Sequence, residues 1–364
     1  MTTDDVAEEI TPEEMESLRR ACTRFLAWHG WRTPADYLEG IPRVVDPDVY
    51  GEGGVVEEVE REVASILGKP SAAFLPSGTM AQQVALRVHA DRRNRRTILF
   101  HPTCHLDHFE GRGYERLHGL GGRPVGEATR LLTLDDLRAV AEPPAALLLE
   151  LPQREIGGQL PAWEELISQV EWAKGRGAAV HMDGARLWGC ESFYGRPLAG
   201  ISEPFDTVYV SFYKQLGGLA GACLAGPEDV VADVREWRRR HGGTLYGLWP
   251  LAASGLNGLR TRLPRVADYR QRALEIAETL RDLPGVEVLP DPPHTTMMHL
   301  FLRREAKPLR EAVARLAREE RIWTFSFWAS DVPGVQRMEL EVGDATLRFS
   351  PEEFRDVIER LLRD

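Results

Sequence analysis

Five short apolar runs, Thr97–Phe100, Ala145–Glu150, Ala178–Asp183, Thr207–Ser211 and Leu219–Ala225, punctuate the middle of this chain. None shows sustained polar alternation, so each predicts a strand buried on both faces. Helical segments lie between several of them. Trp163, Leu166, Ile167, Val170 and Ala173, stopped by Gly175 and Gly177, make one. Strand and helix in turn predict an α/β fold, a mostly parallel central sheet with helices on both sides. Such a sheet also says where to look for chemistry, because ligands bind outside the carboxyl ends of its strands.

The flanks read differently. Thr11-Pro12-Glu13-Glu14 starts a helix, with a capping threonine and a glutamate three residues on. Met15, Leu18, Cys22, Phe25 and Leu26 continue it at helical spacing, predicting an amphipathic N-terminal arm over 1–45. Val56, Val59, Val63 and Ile66 predict a further helix ending at Gly68. Beyond Pro264 the pattern predicts strands near 286–289, 298–302, 322–327 and 338–342, with helices near 307–320 and 351–363. The expected organisation is therefore the arm, a large domain over 46–258 and a smaller C-terminal α/β domain over 259–364.

Of the 364 residues 43% are hydrophobic, enough for a sizeable core, and no apolar stretch is long enough to span a bilayer. A net charge of −11 argues against nucleic acid as a partner. The basic run Arg235–Arg240 is expected to be the solvated face of a helix. Cys22, Cys104, Cys190 and Cys223 form no CxxC pair, and no secretory signal opens the chain, so a reducing cytoplasm is the expected location.

Polar residues follow three of the five apolar runs and a further one, Ala72–Leu75. Ser77-Gly78-Thr79 comes after Ala72–Leu75 and opens a helix, where free N–H groups and hydroxyls can cradle an anion. His105 follows Thr97–Phe100 in a stretch that also holds His101, Asp107, His108 and Glu110; a metal site is one reading, a ring-stacking histidine the better. Asp183 and Arg186 end the third run. Lys214 comes just after Thr207–Ser211, where desolvation favours the neutral amine that a Schiff base requires. Singly, each has a structural explanation. Jointly they fit pyridoxal 5'-phosphate: a lysine for its aldehyde, a cradle for its phosphate, an acid for its pyridine nitrogen and a flat group for its ring.

HisMetAspGlyAlaArgLeu, ProSerGlyThrMetAla, the SerPheTyrLys segment before LeuGlyGly, and AspValTyrGlyGlu at 48–52 resemble the L-threonine aldolase and β-eliminating lyase family of fold-type-I pyridoxal-phosphate enzymes. The resemblance implies that Ser77, Gly78 and Thr79 bind phosphate with help from Ser211. It implies that His105 stacks on the ring and acts in catalysis, that Asp183 meets the nitrogen and that Lys214 carries the cofactor. Arg186 and Arg348 are implied to hold the substrate carboxylate. Two departures stand out. Gln153 replaces a histidine near the substrate hydroxyl, and Tyr246 takes the place of a phosphate-binding arginine. The implied reaction is cleavage of the Cα–Cβ bond of a β-hydroxy-α-amino acid to glycine and an aldehyde, in a homodimer or homotetramer. β-Elimination, transaldolation, transamination and a non-catalytic ligand sensor are the alternatives.

Overall fold

The apolar runs form the heart of a seven-stranded sheet in the computed structural model, which describes residues 10–42, 44–325 and 328–363. Its strands are β1 (Ser71–Leu75), β2 (Thr97–Phe100), β3 (Gly121–Pro124), β4 (Ala146–Glu150), β5 (Ala179–Gly184), β6 (Thr207–Ser211) and β7 (Ala222–Gly226). The spatial order is β1-β7-β6-β5-β4-β2-β3, and β7 alone runs against its neighbours. In β5 and β6 every residue is buried, which explains their unbroken apolar character. Edge strand β3, with the sequence GGRP, carries no apolar signal and was not foreseen. A side chain at Gly122 would collide with Tyr114 Oη at 2.5 Å, so this edge exists only because the residue is glycine.

Around the sheet lie α1 (Gly54–Leu67), α2 (Gly78–Arg93), α3 (Trp163–Gly175), α4 (Glu228–Arg240) and α5 (Trp249–Thr261). Helix α1 stops where expected, at Gly68 in the left-handed region with φ 61°. Beneath the sheet's carboxyl edge a buried polar chain ties α2 to β5 and β6. His181 Nε2 meets Gln82 Oε1 at 2.6 Å, His181 Nδ1 meets Thr207 Oγ1 at 2.8 Å, and the same hydroxyl meets His89 Nε2 at 2.8 Å. Burial pushes His181 down to about 3, so its ring is neutral and structural.

The described chain divides into two compact units, residues 33–268 and residues 10–32 with 269–364. The expected borders were 45 and 258. In the second unit, β8 (Val286–Leu289), β9 (Met297–Leu302), β10 (Trp328–Val332) and β11 (Val335–Glu341) form an antiparallel sheet in the order β10-β11-β9-β8. Helices Ala306–Glu320 and Pro351–Leu362 accompany it. The strand expected over 322–327 is confined to Ile322–Trp323, and its positions 326–327 lie outside the described residues.

Two expectations need correction. The N-terminal helix is Pro12–Ala21 and does not reach Leu26. The N–H groups of Thr23 and Arg24 both go to Arg321 O, and Arg24–Phe25 pairs in parallel with Ile322–Trp323, so strand bonds win over helical continuation. The basic run is not wholly solvated either. Arg238 is buried and donates to Phe74 O at 2.7 Å, while Arg235 clasps the buried Glu60 through both guanidinium ends, at 3.0 and 2.8 Å. Glu60 also accepts the Phe74 N–H at 2.7 Å, so one carboxylate joins α1, α4 and β1. Arg235 is partly exposed and can turn to water, so Glu60→Ala strands chiefly the Phe74 N–H and the nearby buried Arg238 and should lower the unfolding free energy by about 1–3 kcal/mol. Urea denaturation followed by circular dichroism checks this.

Candidate active site

The carboxyl edges of the central strands collect most of the expected residues. Glu150 and Asp183 stand in register at the ends of β4 and β5. Asp183 is buried; its Oδ1 accepts the Ala185 N–H at 3.0 Å, and among the described residues its other oxygen has no hydrogen bond. Gly184 cannot bear a side chain, since a Cβ would lie 2.5 Å from Tyr209 O. Burial raises the proton affinity of both carboxyls, Asp183 adds to the effect on Glu150, and the charges of Lys214 and His105 oppose it in each. Glu150 was not singled out from the sequence, although it stands at the end of its apolar run as Asp183 does.

Lys214 lies in the loop after β6. Burial, and then the positive charge of buried Arg186, push its ammonium down to about 8, against the pull of Asp183 and Glu150. The loop is gripped from behind by α5. A Cβ on Gly255 would sit 2.9 Å from the Phe212 ring, one on Gly258 would sit 2.7 Å from Leu216 O, and Ser254 Oγ accepts the Leu219 N–H at 2.9 Å. Gly218 N bonds Phe212 O at 2.8 Å and closes the turn. Gly255 and Gly258, three apart on one helical face, are thus what lets the lysine loop approach. Their spacing was the available signal and it was missed.

At the start of α2, Ser77 caps through Oγ, which accepts the Met80 N–H at 3.2 Å. Among the described residues the N–H groups of Gly78 and Thr79 enter no hydrogen bond, and Thr79 is exposed. A Cβ on Gly78 would fall 2.1 Å from Tyr209 Oη, so the glycine brings this helix start against β6. Ser211, at the end of the same strand, is buried. Free donors at a helix start suit a phosphate.

His105 begins a short helix, and its Nδ1 lies 3.1 Å from Oε1 of the nearly buried Glu110. The other members of the candidate metal stretch have separate partners: His101 the carbonyl of Arg130, His108 the carbonyl of Pro102, Asp107 the hydroxyl of Tyr114. Gln153 follows β4, buried, with its side chain 3.1 Å from Glu150. Tyr246 is exposed and meets Tyr50, edge-on with centroids 5.4 Å apart and through its carbonyl, which accepts the Tyr50 N–H. Arg348 belongs to the second unit, in the turn Thr346–Arg348, where its carbonyl accepts from Arg24.

A low-affinity lysine ammonium, a carboxylate with a free oxygen, a histidine and an anion cradle thus surround one strand edge, and together they fit pyridoxal phosphate. The beta-eliminating lyase family model matches residues 42–305. The chain belongs to that family. It is a pyridoxal-phosphate-dependent lyase. The low specificity L-threonine aldolase of Escherichia coli K12 is 31% identical over 251 residues, 67% of this chain and 74% of that one. Low-specificity L-threonine aldolase 1 of Arabidopsis thaliana is 29% identical over 254 residues, 67% and 71% of the two chains. A solved structure from Listeria monocytogenes EGD-E, provisionally assigned as an L-allo-threonine aldolase, is 37% identical with a TM-score of 0.90 over 96% of this chain and 98% of its own. Leishmania major threonine aldolase, 17% identical with a TM-score of 0.72, covers 93% and 98% and shares the fold.

The displaced lysine affinity has a direct consequence. In the cofactor-free protein, modification of Lys214 by an amine reagent should rise with pH about a midpoint near 8, not the ordinary 10.5. Arg186→Gln removes a like charge and should move that midpoint upward, as peptide mapping of the labelled lysine across pH would register.

Proposed function

We propose that this lyase cleaves the Cα–Cβ bond of a β-hydroxy-α-amino acid, giving glycine and an aldehyde. The observation that carries the reading is Asp183, buried at the strand end with one oxygen free, facing a lysine of lowered proton affinity. Similarity to threonine aldolases supports the substrate class. When bound, pyridoxal phosphate supplies an electron sink for the pair left on Cα.

The chain's own residues do the rest. Lys214 would hold the cofactor through its aldehyde, and its Nζ, lowered in proton affinity to about 8, could carry a proton to or from Cα. Asp183 would hold the ring nitrogen in its protonated form. Arg186 would hold the substrate carboxylate in a fork of hydrogen bonds and so select which Cα bond breaks. Ser77, Gly78, Thr79 and Ser211 anchor the phosphate, with Tyr246 at its margin. His105 would supply the flat face for the ring, and with Nδ1 held by Glu110 its Nε2 could take the β-hydroxyl proton, directly or through a water.

We infer a homodimer or homotetramer, since Tyr50, Leu245, Tyr246 and Trp249 leave apolar surface exposed. Four buried free cysteines accord with a cytoplasmic location. The purified holoenzyme given L-threonine, L-allo-threonine or phenylserine should release glycine and the matching aldehyde in equal amounts. His105→Asn should lower kcat by about 10²–10⁴. Ammonia with a keto acid, and no glycine, would replace cleavage by elimination.

A further inference from the structure

Glu150 and Asp183 are register partners in β4 and β5, so their side chains leave the sheet on one face, from backbones about 4.8 Å apart. Three hydrogen bonds reach the two carboxyls. Asp183 Oδ1 accepts the Ala185 N–H at 3.0 Å, Glu150 Oε1 accepts the Arg154 N–H at 3.2 Å, and Glu150 Oε2 lies 3.1 Å from the Gln153 amide. Among the described residues neither carboxyl forms a salt bridge with an arginine or lysine. The titratable groups around them come from four segments. Lys214 stands on the loop after β6; His105, Glu110 and the buried Cys104 thiol lie in the segment after β2; Arg186 follows β5; Arg154 follows β4. Arg154 pairs with Glu155 at 2.8 Å and lies over the Phe109 ring, 5.7 Å from its centroid. Lys214 and His105 are the cations whose charge opposes both carboxyls.

Two carboxyls this close, drawn out of water, keep a proton between them more readily than both ionise. The neighbouring amide suits such a proton. An ionised Glu150 accepts from the amide nitrogen of Gln153, a neutral one donates to its oxygen, and a half-turn of the amide exchanges the two. Thr103 Oγ1, 3.3 Å from the same end of the amide, serves either state because a hydroxyl both donates and accepts. We propose that Glu150 is a positioning residue that stores a proton beside Asp183 in the cofactor-free protein and gives it up when a protonated ring nitrogen stands against the pair. The neutral acid limits the charge of the cofactor-free edge; the ionised one adds to the negative charge that keeps the nitrogen protonated. The departing proton goes to the ring nitrogen or to solvent, and in both cases less is drawn from the buffer. The inference rests on the cofactor assignment and is independent of which substrate bond breaks.

Pyridoxine 5'-phosphate has an alcohol where the cofactor has its aldehyde, so it forms no bond with Lys214. Titration calorimetry of this ligand into the cofactor-free protein, in two buffers of different ionisation heat, counts the protons exchanged on binding. Burial and the charge of Asp183 push the Glu150 carboxyl up to about 7. At pH 7 wild type should therefore release about 0.5 proton more, or take up about 0.5 fewer, than Glu150→Gln. Because binding lowers the proton affinity of Glu150, wild-type affinity should gain about 5- to 10-fold more than the variant's between about pH 6 and pH 8. A second readout needs no variant: in infrared difference spectra at about pH 6, wild type should lose the band of a protonated carboxyl when the ligand binds. Equal proton counts and equal pH slopes in the two proteins, or a carboxyl band that binding leaves in place, would overturn the proposal. Failure to release glycine from any β-hydroxy substrate would overturn the cleavage reading alone and leave these proton counts as they are.

Discussion

Two carboxylates, Glu150 and Asp183, end adjacent central strands in matching register, and neighbouring strands lie only about 4.8 Å apart. Like charges that close, at a poorly solvated edge, raise each other's proton affinity unless cations answer them. Here the answer comes from the charges of Lys214 and His105. Burial, and then the like charge of Arg186, in turn lower the proton affinity of the lysine. A sheet edge that concentrates charge in this way suits a ligand with an anionic end, a protonatable ring and a reactive carbonyl.

Rigidity behind the edge makes the balance precise in space. The hydrogen-bonded chain Gln82–His181–Thr207–His89 locks α2 to the two strands that deliver Asp183 and Lys214. Gly78 draws the start of α2 against Tyr209, and Gly255 with Gly258 lets α5 press on the lysine loop. Small residues at close approaches, not polar contacts at the site itself, set the distances within which the chemistry works. At edge strand β1 Glu60 performs the corresponding task with Arg235 and the Phe74 N–H.

Strands buried on both faces announced themselves in the sequence, because burial forbids polar alternation; β4, β5 and β6 lie where their apolar runs lie. Edge strand β3 could not be read, since Gly121–Pro124 needs only space beside Phe100 and Tyr114. The N-terminal helix was overextended because apolar spacing cannot register a competing strand partner some 300 residues away. Asp183, Lys214 and the Ser77 segment were legible as chemistry placed just after strands. Glu150 was not, because its weight comes from standing opposite Asp183. The departure at Gln153 was visible in the sequence, but its contacts with Glu150 and Thr103 are ones that only folding creates.

The account's central claim is that Lys214 carries the cofactor at this edge. Borohydride reduction of the holoenzyme followed by peptide mass spectrometry tests it most directly. A pyridoxyl mass on the peptide containing Lys214, and its loss in Lys214→Ala, is the predicted result. A label on another lysine, or no label after saturation with pyridoxal phosphate, would contradict the account.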